Sequence, residues 1–164
     1  MERQQFFNVG APVTDLQITP PGDVVISIIG DYNADGLLDV LVGGFWDIDL
    51  TPFANTGDSW NQQGEGIVKG RASNVQAYFV DVNRDGYLDL IANLRDGSWV
   101  YLGDGQGGWA DSSAGLPVES GSDDSPYSIE GGDFNNDGFV ELAVCTVDFG
   151  DAHLYAFSGD GEGG

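Results

Sequence analysis

A chain of 164 residues with 41% hydrophobic and 12% aromatic residues carries enough apolar side chain for one domain with a real core. Five Lys and Arg against 27 acids give a formal charge of −22, which argues against nucleic acid or an anionic membrane surface as partner, since both need clustered cations. The lone cysteine, Cys145, excludes an internal disulfide, and no stretch is long and apolar enough for membrane insertion.

The 26 glycines follow no Gly-X-Y period. Scattered between short apolar runs, they predict many tight turns joining many short strands, hence an all-β chain. The opening MERQQFFNVG has no apolar signal-peptide core. It places Phe6 and Phe7 just ahead of GAPV, which is similar to GLPV at 115–118. A strand, VVISIIG, is expected next, then the acidic stretch Asp31–Asp39, DYNADGLLD, then a second β-type run, LDVLVGG.

The stretch returns twice, as DVNRDGYLD from Asp81 and DFNNDGFVE from Asp133. All three fit D-x-N-x-D-G-x-[LV]-[DE], and β-type runs (VQAYFV and LDLIANL, YSIEGG and ELAVCTV) flank the later copies. Carboxylates this crowded repel one another unless a cation lies between them. Calcium takes six to eight oxygen ligands at about 2.3–2.6 Å. Asp31, Asn33 and Asp35 offer side-chain oxygens, as do Asp81, Asn83 and Asp85, and Asp133, Asn135 and Asp137. Leu37, Tyr87 and Phe139 would offer main-chain carbonyls, and Asp39, Asp89 and Glu141 close the loops. Glycine at the sixth place permits the sharp bend. The variable fourth residue (Ala34, Arg84, Asn136) is expected to face solvent. An EF-hand is excluded, because the twelfth position holds Val42, Ala92 and Val144 and strands, not helices, flank the loop. The bland alternative is an Asx-rich turn without metal.

These loops and their flanks resemble FG-GAP/VCBS repeats, the calcium-loop repeats of integrin α-subunit β-propellers and of many secreted bacterial proteins. The resemblance covers nearly the whole chain. It implies four-stranded antiparallel blades and the ligand set just named, holding three structural Ca2+ ions, but no single function. Matching Gly57-Asp58, Gly103-Asp104 and Gly159-Asp160 puts Phe53, Trp99 and Tyr155 in register and divides a single repeat domain, 1–164, into blades at about 1–58, 59–108 and 109–164. Trp99, Tyr101, Tyr155 and Phe157 then read as blade-to-blade packing, Trp60 and Trp109 as structural residues after turns, and Cys145 as a buried structural thiol.

Propellers close with about four to eight blades. Three blades therefore imply a partial propeller: part of a longer chain, an open set, or half of a ring in which two copies join head to tail. Residues that break the repeat are the better ligand-binding candidates. They sit at the hairpin tips: Trp46, Asp47 and Asp49 in the first, Arg95 and Asp96 in the second, and Asp148, Phe149, Asp151 and His153 in the third. An exposed Trp beside acids suits a sugar ring. One histidine allows no triad and no His-rich metal site, and no nucleophile elbow, phosphate loop or zinc signature is present. The expectation is a non-enzymatic, calcium-stabilised module for extracellular or cell-surface adhesion to a protein or glycan. The alternative is a scaffold fragment of a larger surface protein or carbohydrate-active enzyme.

Overall fold

The computed structural model describes residues 24–44, 50–63, 67, 76–94, 97–116, 125–148 and 151–161. Those residues form eleven strands and no helix. The first sheet is ordered β1 (Val24–Gly30), β2 (Asp39–Gly44), β3 (Thr51–Asn55) and β4 (Trp60–Gln62). The second repeats that order with β5 (Gln76–Val80), β6 (Asp89–Leu94), β7 (Gly97–Gly103) and β8 (Trp109–Asp111). The third contains β9 (Ser125–Gly132), β10 (Glu141–Asp148) and β11 (Asp151–Phe157), with β10 between the other two. All pairings are antiparallel between neighbours in sequence. This is the all-β, blade-like architecture expected.

The second sheet is buried on both faces, and the period of two along its strands is the reason. Leu90 and Ala92 of β6 join Ile28, Leu41 and Leu50 in a layer against the first sheet. Ile91, between them, joins Val100, Ile129, Leu142 and Val144 in a layer against the third. On β7, Trp99 and Tyr101 pack toward the first sheet, and Val100 and Leu102 toward the third. Every residue of β6 is buried. Each fully buried Leu or Ile contributes roughly 1.5–3 kcal/mol, so this strand is the mechanical centre of the stack.

Four sequence expectations need correction. The third sheet shows three strands among the described residues, not four. In the second sheet the fourth strand starts at Trp109, paired with Gly103. Sheets and repeats are also out of phase. Trp60–Gln62 and Trp109–Asp111 open the second and third sequence repeats, yet they close the first and second sheets.

The register of the first repeat is shifted by two residues. Phe53 lies opposite Val40, as Tyr101 lies opposite Leu90 and Phe157 opposite Leu142. Asn55, not Gly57, is thus the counterpart of Gly103 and Gly159. Gly57-Asp58 belongs to a tighter turn, closed by a Thr56 N–H bond to the Ser59 carbonyl at 2.9 Å. Finally, burial is less complete on the last sheet. Phe157 packs against the second layer, but Tyr155 is exposed and Cys145 only half-buried.

Candidate functional site

The three acidic loops each join the first and second strands of a sheet and share one backbone path. The fourth residue takes a left-handed conformation in all of them, with φ of 56° at Ala34, 61° at Arg84 and 62° at Asn136. The glycine two places on has φ of 89°, 90° and 95° at Gly36, Gly86 and Gly138. An L-residue with a side chain pays for that φ, and Asn pays least. Three different residues accept it because the loop's side chains hold the backbone there.

Those side chains act as acceptors for the loop's own N–H groups. The Asp35 N–H donates to Asp31 Oδ1 and Asn33 Oδ1, both at 3.0 Å, and the Gly36 N–H donates to Asp31 Oδ2 at 2.9 Å. The Leu37 N–H donates to Asp35 Oδ1 at 2.8 Å. The second loop repeats this with Asp85 to Asn83, Gly86 to Asp81 and Tyr87 to Asp85. The third does so with Asp137 to Asn135 and Phe139 to Asp137. In each loop the Asn amide NH2 donates to the other oxygen of the fifth-position Asp, at 3.1, 3.0 and 2.9 Å. Asn135 also donates to Glu141 Oε1 at 3.1 Å. A neutral amide thus presents its positive end to the carboxylates.

The ninth position does something the sequence pattern did not reveal. Asp39 and Asp89 are fully buried, and Glu141 nearly so. Asp89 accepts the Val82 N–H at 2.7 Å and the Gly103 N–H at 2.9 Å, tying the loop to β7. Asp39 accepts the Asn55 N–H at 2.9 Å, and Glu141 accepts the Phe134 N–H at 2.8 Å. Burial pushes the carboxyls of Asp39 and Asp89 above the usual carboxylate range, against the backbone N–H donors that pull them down. Asn55 and Gly103 are therefore part of the site. Glycine is required at Gly103 and Gly159 because a Cβ would run into the carbonyls of Leu88 and Val140.

The seventh and fourth positions are less free than expected. Tyr87 lies over Gly105 and Phe139 over Gly161, closely enough that a Cβ on either glycine would collide with the ring. Arg84 does not simply face solvent: its guanidinium carbon sits 5.1 Å from the centre of the Phe139 ring in the next loop. This cation–π contact contributes about 0.5–1 kcal/mol at an exposed site, and it joins two loops through residues 55 apart in sequence.

The donor set at each loop is all oxygen, the chemistry a hard divalent cation requires. Two of these oxygens, Asp39 Oδ2 and Asp81 Oδ1, are buried with no hydrogen-bond partner. A bound cation would satisfy them. Among the described residues, however, no three His, Cys, Asp or Glu side chains converge as a preformed cage would have them. Each Asn amide instead donates to the fifth-position carboxylate, and only Asn135 bridges two acids, Asp137 and Glu141.

Of the hairpin-tip candidates, Trp46, Asp47, Asp49, Arg95, Asp96 and Phe149 lie outside the described residues. Asp148 ends β10 and pairs with Asp151 at the start of β11. Asp151 and His153 are exposed, and the His153 ring lies 6.4 Å from that of Tyr155.

Residues 31–92, which hold the first two loops and the strands between them, match the family model of FG-GAP-like repeats. No curated protein matches the chain.

Proposed function

We propose that this FG-GAP-like repeat chain is a calcium-stabilised β-propeller module that binds a protein or glycan outside the cell or at its surface, without catalysis. The observation that carries the calcium reading is the pair of buried, partnerless carboxylate oxygens, Asp39 Oδ2 and Asp81 Oδ1, in loops of common conformation. A buried acceptor without a donor costs about 1–3 kcal/mol, more when charged. The ligands would be Asp31, Asn33, Asp35, the Leu37 carbonyl and Asp39, and the same five positions from Asp81 and from Asp133. Each Asn amide would turn its oxygen toward the ion. Calcium would supply positive charge that cross-links the two strands flanking each loop. Three ions would reduce the formal charge from −22 to −16. Extracellular calcium is millimolar, enough to fill weak loops of this kind, and this supports the location.

The binding role rests on where the repeat is broken. The loops are spent on holding strands together, and the tips that differ between copies remain for a partner.

Thermal unfolding in EDTA, then with rising calcium and with magnesium as control, tests the metal. A site at a hundredfold excess over its dissociation constant adds about 2.7 kcal/mol. A calcium-selective rise in Tm is expected, lost from one site in Asp81→Ala. An unchanged Tm in millimolar calcium would leave the loops as Asx turns and remove the calcium reading.

A further inference from the structure

The three acidic loops share a backbone path but balance their charge differently. In the first, Asp39 Oδ2 is buried without a hydrogen-bond partner, and in the second Asp81 Oδ1 is. In the third, both oxygens of the ninth-position acid are taken. Glu141 Oε2 accepts the Phe134 N–H at 2.8 Å, and Glu141 Oε1 accepts the Asn135 amide at 3.1 Å. The first-position acids differ as well. Asp31 and Asp81 are half-buried and accept the Gly36 and Gly86 N–H groups. Asp133 is exposed.

The third loop also receives a charge from outside itself. Arg84 is one of five cations in the chain and the only Lys or Arg among the described residues. Its guanidinium stands 5.1 Å from the centre of the Phe139 ring. It also lies so close to Gly138 that a Cβ there would meet Nη1 and Nη2. Gly138 and Phe139 are the sixth and seventh residues of the third loop, directly after Asp137. The same position of the first loop is Ala34, which carries no charge and cannot reach Tyr87 in the second. The fourth position thus sends a cation from the second loop to the third, and none from the first to the second.

A fixed positive charge beside an acidic loop has two opposite effects. It offsets repulsion among the carboxylates, so it stabilises the loop without metal. It also opposes a dication entering the same loop. A neighbouring Arg shifts a carboxylate's ionisation equilibrium by roughly tenfold or more, and the same field acts with opposite sign on an incoming cation. We propose that Arg84 sets the order in which the loops fill: it braces the third loop in the absence of metal and makes that loop the last to take a divalent cation. This order rests on the calcium reading above. The first two loops have buried, unpartnered oxygens for an ion to satisfy. The third has its ninth-position acid already satisfied and a guanidinium at its bend.

Calcium titration of the 164-residue chain, followed by heteronuclear NMR, tests this, with the amides of Gly36, Gly86 and Gly138 each reporting on one loop. The Gly138 midpoint should lie roughly tenfold above the other two. Arg84→Gln, which keeps most of the length and loses the charge, should bring that midpoint down toward the others. In EDTA the same variant should lower Tm by about 1–4 °C, the loss of one exposed cation–π contact. The two signs separate charge from packing, because a merely structural role would weaken metal binding and stability together. Ala34→Arg should move the effect one loop back and raise the Gly86 midpoint. Three equal midpoints in the intact chain, or a Gly138 midpoint that Arg84→Gln leaves unchanged or raises, overturns the proposal while the calcium reading stands. No shift at any of the three glycines in millimolar calcium removes the calcium reading and the filling order with it.

Discussion

Between the first and second sheets, Tyr32, Phe79 and Trp109 make one continuous aromatic contact. Between the second and third, equivalent backbone positions surround a cavity. The strand register and the loop path are the same at both places. What differs is side-chain volume at two positions, Val82 for Tyr32 and Gly131 for Phe79, together with the lack, among the described residues, of a fourth strand carrying a counterpart of Trp109. In this chain backbone geometry is set by the repeated acids and glycines, while closure is set by a few large aromatics that need not repeat.

Truncating the filled interface should have the largest effect. Trp109→Ala removes a half-buried ring from a packed aromatic cluster, and urea denaturation should show a loss of about 3 kcal/mol. Val82→Ala, beside the cavity, should cost less than half as much. A similar loss from both variants would mean that the second interface is as tightly packed as the first.

The ninth-position acids give the next largest contrast. Both oxygens of Asp89 accept backbone N–H groups, so Asp89→Asn leaves one buried donor without an acceptor, at a cost of about 1.5–3 kcal/mol. Asp39 has one oxygen in a full hydrogen bond from the Asn55 N–H, while the Tyr32 and Asn33 N–H groups point toward the carboxylate without closing a bond to Oδ2. Asp39→Asn should therefore be near neutral in EDTA and destabilising only when calcium is present. Equal losses in EDTA would show that Asp39 Oδ2 has a partner after all.

Filling the cavity should bring a smaller gain. Leu116→Phe reaches into it and should add about 0.5–2 kcal/mol by the same denaturation measurement. Ile67→Phe, its counterpart at the filled interface, should overpack and destabilise. The smallest effect belongs to the left-handed fourth position. Ala34→Asn should stabilise by about 0.5–1 kcal/mol and Asn136→Ala should destabilise by a similar amount. A change of the opposite sign at either would mean that side-chain contacts, not φ, decide the residue there.

Much of this arrangement was legible in the sequence, for local reasons. The acidic loops announce themselves because a nine-residue turn needs its acceptors and its glycine at fixed offsets. The flanking strands follow from apolar runs of the right length. The phase of the sheets was not legible. Trp60 and Trp109 follow a turn whichever sheet they join, and only hydrogen bonding assigns them backwards. The two-residue slip at Phe53 has a similar origin: a Gly-Asp pair recurs in two turns of different length, and the recurrence of letters outweighed the pairing of strands. The bracing role of Asp39, Asp89 and Glu141 depends on N–H groups from distant strands. The reach of Arg84 to Phe139 depends on how neighbouring sheets bring their loops together.

The hydrogen bonds inside the loops also govern how the protein ages. Asp-Gly pairs rearrange to isoaspartate when the glycine nitrogen attacks the preceding side-chain carbonyl carbon, and of the six such pairs in this chain the acidic loops hold three, at 35–36, 85–86 and 137–138. In the first two loops the attacking N–H is committed to Asp31 or Asp81, and the Asp carboxylate under attack is held by the N–H of the residue after the glycine. The cyclic imide cannot form without breaking both contacts. Chemical wear at these bonds is therefore a record of how often the loops have opened.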